Sequence, residues 1–288
     1  MPALLRTHHA RGFALMLASA ACFTGNVLLV RALGESHHAN VWLISCARFV
    51  IGIAIVMAVY RSEFRPGNLV RNPKLIGRGL VGGVGVYLTY LTVVKIGAGR
   101  ASFIGNTYVI WGTLGAVWVL REPLRPAIIV GSVAALGGLA LMTGVFGGPP
   151  PGLYDLAAVA AAFLSAYVVI TIRQLHATEH SSTIFAAQCV YGLLLCALPA
   201  LHYAQPLDPV GWVLLVLAGA SAAGGQLTMT RAFRDLPVAE GSLLQMLVPL
   251  GIAVGGVAFF GEHFTTHELV GAALIMIGTA ATTLRRSA

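Results

Sequence analysis

Apolar residues run along this chain in long blocks, broken by short clusters of charge, proline and glycine. "FALMLASAACFTGNVLLV" near the start and "LVGAALIMIGTAATTL" near the end are representative. Each approaches the roughly 20 residues that cross about 30 Å of hydrocarbon at 1.5 Å per residue. The breaks predict ten helical spans, at 11–31, 40–60, 75–95, 101–120, 126–144, 154–175, 181–203, 208–230, 238–260 and 265–284. Asp208-Pro209 pairs a capping carboxylate with a first-turn proline, and Thr265 with Glu268 fits a capping box. The most loop-like stretch, "GVFGGPPPGLYD", falls in the middle of the chain, where three successive prolines cannot continue a helix.

Composition agrees with a polytopic membrane protein. Hydrophobic residues make up 57% of the chain and charged residues 10%, with a mean hydropathy of +0.83. Such a chain cannot cover a soluble domain with polar surface. The net charge of +8 could suggest nucleic acid, but the Lys and Arg residues form no stripe and sit between apolar blocks, so nucleic acid is not an expected partner. Cys22, Cys46, Cys189 and Cys196 lie within apolar blocks without CxxC spacing and read as small buried hydrophobes. "LASAAC" ends at Cys22 with Ser19 where a lipoprotein site carries Leu, and the block continues to Val30, so the first helix is expected to stay uncleaved.

Cation placement sets an orientation. Alternate loops on one side hold 14 of the 18 Lys and Arg residues and the other side holds Arg31, Lys95 and Arg100, with Arg48 inside a span. The positive-inside rule then places both termini in the cytoplasm, which an even number of spans requires.

Sliding the chain against itself by 140 residues aligns its halves without a gap. Gly12 meets Gly152, Phe23 meets Phe163, Gly52 meets Gly192, Gly79 meets Gly219, Gly85 meets Gly225, Ser102 meets Ser242, Gly115 meets Gly255, Glu122 meets Glu262, Gly131 meets Gly271 and Gly138 meets Gly278. The halves are taken as 1–147 and 148–288. Five helices is an odd number, so the second copy is expected to enter the membrane from the opposite side, an inverted repeat that places a solute site near the midplane.

Two five-helix repeats, with "REPL" after the fourth span and "GEHF" after the ninth, resemble the EamA-type branch of the drug/metabolite transporter superfamily. "MLVPLGIAVGGVAFFGE", with Pro249 thirteen residues before Glu262, adds to the resemblance, while the first repeat departs from it with Val109 in place of Pro249. The resemblance covers essentially the whole chain. It implies a ten-helix secondary transporter of small metabolites in the inner membrane, often an exporter of amino acids, with no cofactor. Uptake of a nucleoside- or vitamin-like solute by the same fold is the alternative, and a membrane enzyme or scaffold a third. The expected partners are a small-molecule substrate and the lipid bilayer, with a homodimer left open.

"RASFIGNTYVIW" carries several polar groups inside the fourth span. Thr107 and Trp111 share a helix face, with Tyr108 close to it and Asn106 opposite. Tyr87, Trp111, Tyr167 and Tyr191 lie mid-span, although Trp and Tyr ordinarily collect at interfaces. Tyr90 is near the face of Tyr87, and Phe163, Tyr167 and Thr171 form an i, i+4, i+8 stripe. One reading has this group line a cavity, and the other has it pack between helices. Ser242, Gln245 and Pro249 share a face of the ninth span. Arg48 lies about 10 Å inside the second span, placed either to contact a solute or to reach carbonyls or the interface, and the repeat sets Gln188 at its matching position. The candidate substrate-binding residues are thus Arg48, Tyr87, Tyr90, Thr107, Tyr108, Trp111, Phe163, Tyr167, Tyr191 and Gln245. The histidines show no HExxH spacing, and neither GxSxG nor an intramembrane carboxylate pair is present, so no catalytic or metal-ligating residue is expected.

Overall fold

The computed structural model describes residues 2–145, 150–203, 206–261 and 265–284. All regular structure among them is helical. In order, the elements are α1 (Pro2–Ser36), α2 (Val41–Val59), the short α3 (Pro66–Arg71), α4 (Pro73–Ile96), α5 (Ala98–Asn106), α6 (Tyr108–Gly115) running into a π-helical turn at Ala116–Leu120, α7 (Pro126–Thr143), α8 (Leu153–Leu175), α9 (Ser181–His202), α10 (Pro209–Asp235), α11 (Val238–Leu244), α12 (Leu247–Phe260) and α13 (Thr266–Leu284). Among the described residues nine stretches are long and apolar enough to span a membrane, including the composite Ala98–Leu120 and Val238–Phe260, and the apolar part of α13 is shorter. Each predicted span meets a helix. Glu262, and with it most of "GEHF", lies outside the described residues, as does much of the mid-chain proline loop.

Local chemistry accounts for the ends. Asn40 accepts the Trp42 amide to start α2, and Asp208 accepts the Gly211 amide at 3.2 Å ahead of Pro209. Thr265 and Glu268 form their capping box, the Thr265 amide donating to Glu268 at 2.6 Å. One residue, Gly97 at φ 82°, joins α4 to α5, a left-handed conformation that a side chain would strain.

Packing follows the 140-residue shift. α1 lies along α10 as α4 lies along α8, and α4 on α9 as α10 on α2. The two elements related to each other by the shift also pair, α2 with α9 and α7 with α13. At the last contact, a Cβ on Gly138 would strike the Gly271 carbonyl, and one on Gly278 would strike the Gly131 carbonyl. The small residues let two backbones touch, the usual route to helix association in lipid.

The fourth and ninth spans are both broken, within one residue of each other under the 140-residue shift. The Thr107 amide turns to the Ile104 carbonyl at 3.1 Å and the Met246 amide to the Leu243 carbonyl at 3.0 Å, each one residue short of the α pattern. The break therefore occurs where Pro249 is present and where Val109 replaces it. The proline sits in the first turn of α12, where a missing N–H costs little, and the Gln245 carbonyl accepts the Val248 amide at 3.0 Å.

The end of the bundle where α1 starts is solidly filled by Met16, Leu75, Ile172, Leu175, Phe233, Leu236 and Val238. Above this core, Glu122 accepts the Val238 amide at 3.0 Å, capping α11, and pairs with Arg173 at 3.4 Å. Arg173 also donates to the carbonyls of Phe233 and Arg234. These contacts tie α6, α8, α10 and α11 together at one end.

The α8–α9 connection carries a titrating group. His176 has Nδ1 2.8 Å from the Ile172 carbonyl and Nε2 3.1 Å from Ser181 Oγ, and burial pushes its imidazole down to about 4. The folded value lies below the ordinary 6.5, so the stability held by the neutral ring is complete above about pH 6.5 and is lost as pH falls toward 4. The melting temperature is expected to drop across that window, and less steeply in His176→Gln. Parallel curves for the two proteins would rule out His176 as the cause.

Candidate functional site

Eight of the spans enclose a cavity of about 230 Å³ in the half of the bundle away from that filled end. Its lining begins at Val93 and Ala101, about one turn from the Gly97 connection, and reaches as far as Gln188 near the start of α9 and Met229 in the last third of α10. Both halves of the chain contribute, α1, α2, α4, α5 and α6 from the first and α8, α9, α10 and α12 from the second, with Gln245 from the break between α11 and α12. Neither α7 nor α13 reaches it. Val27, Val86, Val168 and Ile252 supply apolar wall, and the polar groups converge on Arg48.

Arg48 is 6% exposed. Its Nη1 donates to the Tyr90 hydroxyl at 3.1 Å and its Nη2 to Gln226 Oε1 at 2.9 Å. The Tyr90 hydroxyl donates in turn to Asn26 Oδ1 at 3.1 Å, and Asn26 Nδ2 donates to the Ala218 carbonyl. This chain of bonds joins α1, α2, α4 and α10 through one guanidinium, which also lies 5.8 Å from the Phe23 ring centre. In a low-dielectric setting the two charge-assisted bonds that Arg48 donates are stronger than in water.

A second arginine faces the same region. Arg78 on α4 is fully buried, and its Nη2 donates to Gln188 Oε1 at 2.9 Å. Gln188, the repeat counterpart of Arg48, also donates to the Gly82 carbonyl at 3.2 Å. Each interface between the halves thus pairs one Arg with one Gln, Arg48 with Gln226 and Gln188 with Arg78. The sequence reading counted Arg78 among loop cations; the structure puts it inside a span, so Arg48 is not the sole charge at depth. Among the described residues no Asp or Glu lines the cavity.

Of the ten candidates, Arg48, Tyr90, Tyr108 and Gln245 line the cavity. The Tyr108 hydroxyl lies 3.4 Å from the Ser242 carbonyl at the break in the ninth span, and Gln245 donates to Ser19 Oγ at 2.8 Å. The other six lie elsewhere. Tyr87 stacks on Trp42 with ring centres 3.7 Å apart, and the Thr107 hydroxyl bonds the Ile104 carbonyl of its own helix. Tyr191 donates to the Leu69 carbonyl at 2.8 Å, and the Tyr167 hydroxyl rests against Gly77. Trp111 and Phe163 stack at 4.4 Å on the outer surface, 39% and 46% exposed. Trp111→Ala is therefore expected to leave solute binding within about twofold of the parent, as for a surface substitution; a tenfold loss would bring Trp111 back into the site.

Sequence reasoning passed over Asn26, Gln226 and Arg78. A glutamine or asparagine within an apolar span was the available signal for the first two. Arg78 lay too near a span end to stand out.

A family model described as the EamA-like transporter family matches residues 10–144 and again 152–284. One solved crystal structure is similar at 20% identity, with a TM-score of 0.73, covering 95% of this chain and 98% of that one, a likeness of fold alone. No curated protein matches.

Proposed function

The chain belongs to the EamA-like transporter family, in the drug/metabolite transporter superfamily, and from that premise we propose that it is an inner-membrane secondary transporter exporting an amino acid or a related small metabolite. The observation that carries this reading is the cavity that both halves build, in a bundle filled at its other end. A solute held there would be released to the opposite side when the Glu122–Arg173–Val238 tie opens and the cavity end closes, the two halves rocking as units 1–147 and 148–288. The reciprocal helix pairings and the matched breaks support an inverted repeat, since a two-fold axis in the membrane plane exchanges α1 with α8, α4 with α10 and α7 with α13. The cavity volume lies below the roughly 300–1,000 Å³ of drug-sized sites, which favours a small metabolite over a nucleoside- or vitamin-like solute.

Counterflow in proteoliposomes with a pooled metabolite library tests the activity. Exchange of an amino acid or a related small metabolite is expected, and failure of every library member to exchange would remove the transporter reading from this chain. Orientation has a separate test. With both termini in the cytoplasm, Pro150→Cys in a background lacking the four native cysteines should react with an impermeant maleimide in intact cells. Reaction only after permeabilisation would reverse the topology.

A further inference from the structure

Arg78 stands five residues into α4, about 8 Å of helical rise from Pro73. A long cation so close to the end of a span ordinarily extends toward the nearer aqueous surface. Arg78 does the reverse. Its Nη1 lies against the Cβ position of Gly82, one turn deeper, and its Nη2 bonds Gln188, so Arg78 stands fully buried directly behind Gly82 and Gln188, which line the cavity. A side chain on Gly82 would displace the guanidinium, so the glycine makes room for it.

The hydrogen-bonding capacity left over here is one-sided. Nε and Nη1 of Arg78 and Nε2 of Gln226 are buried with no partner among the described residues, and all three are donors. Arg48 and Arg78 are near enough to repel each other, and no carboxylate lines the cavity to offset them. Unfilled donors and two like charges are costly to bury. An acceptor-rich ligand of opposite charge relieves both costs. The Val27, Val86, Val168 and Ile252 wall accepts a carbon skeleton, which an inorganic anion lacks.

We propose that the cavity is an organic-carboxylate site, in which Arg48 and Arg78 together select a solute of net negative charge with no compensating ammonium group. The proposal rests on the transporter reading for its cargo, and within that reading picks the related organic acids over the amino acids themselves. A zwitterion would bring its ammonium against two guanidiniums, and a neutral solute would leave the spare donors unmatched by charge.

Binding to the purified full-length protein in nanodiscs is the test, using matched probes that share a skeleton and differ in charge: isovalerate, isovaleramide and valine, with benzoate and benzamide as an aromatic pair. The acids are expected to bind about tenfold or more tightly than their amides or the zwitterion, the range of one charge-assisted hydrogen bond. Arg78→Gln should bring acid and amide together. Gly82→Ala should do so in part, because it moves the guanidinium without removing its charge. If Arg78→Gln does not fold, the parent comparison and Gly82→Ala still decide. Equal binding across a matched set, no binding by either acid, or unchanged acid preference in both variants overturns the proposal. The same probes in counterflow separate it from the wider reading. Acid-selective binding without translocation would sink transport and leave the site, whereas equal exchange of valine and isovaleramide with the acids would sink the charge selectivity and leave transport.

Discussion

Arg48→Ala is expected to lower the counterflow rate by about 100-fold or more, with the protein still reaching the membrane. The guanidinium joins Tyr90 on α4 to Gln226 on α10, and through Tyr90 it reaches Asn26 on α1. Two hydrogen bonds from a charged donor are together worth about 3–6 kcal/mol, and removing them leaves Gln226 Oε1 buried without its donor. The side chains that define the cavity wall would then lose their fixed positions as well as the nearest positive charge. Arg48→Lys keeps the charge but offers one ammonium in place of a planar fork, so it cannot serve both acceptors in the same geometry, and an intermediate loss of about tenfold is expected. Arg71→Gln, at an exposed position on α3, is the comparison for a cation outside the site and should exchange at the parent rate. Initial rates normalised to reconstituted protein, read beside a thermal unfolding curve, separate the site from the fold. Parent-like exchange by Arg48→Ala would take Arg48 out of the solute path.

Gly138→Ala is expected to destabilise the protein by about 1–3 kcal/mol, the usual range for overpacking, and Gly138→Leu to prevent recovery of monodisperse protein. A Cβ at this position meets the Gly271 carbonyl, the Leu274 side chain and the Ile275 amide. Two of those are backbone atoms on α13 that no rotamer change can move, so α7 and α13 must separate. Gly137 is the internal comparison. It is exposed, with nothing within 4 Å of its Cβ position, and Gly137→Ala should match or slightly exceed the parent, since alanine is the better helix former. Thermal unfolding of the two purified variants in one detergent measures the contrast. Equal melting temperatures would mean that the α7–α13 contact is looser than the structure has it. Neither helix touches the cavity, so Gly138→Ala should keep its solute affinity at temperatures where it is folded.

The sequence alone determined the architecture, because the properties that set it are written along one dimension. A hydrocarbon layer selects apolar runs of fixed length, and glycine, proline and charge end them, so ten spans, their caps and the 140-residue repeat could be read directly. Val109 against Pro249 looked like a difference between the repeats, yet the helix breaks at both places, so a proline is not required for the break near residues 104–107. Which polar side chains meet was decided only by the tertiary structure. A mid-span aromatic can face lipid, a neighbour or a cavity, and periodicity is blind to the rotation of a helix about its own axis. Trp111 and Phe163 turn outward to stack together, while Tyr90 turns in to hold Arg48. Arg78 marks the limit most clearly. Its distance from the span end permits two directions, and the choice is made by Gly82 leaving space and by Gln188, 110 residues away, offering an acceptor. Partners so remote in sequence are brought together only by packing the two halves, and that packing sets a cation which read as part of a loop directly behind the cavity wall.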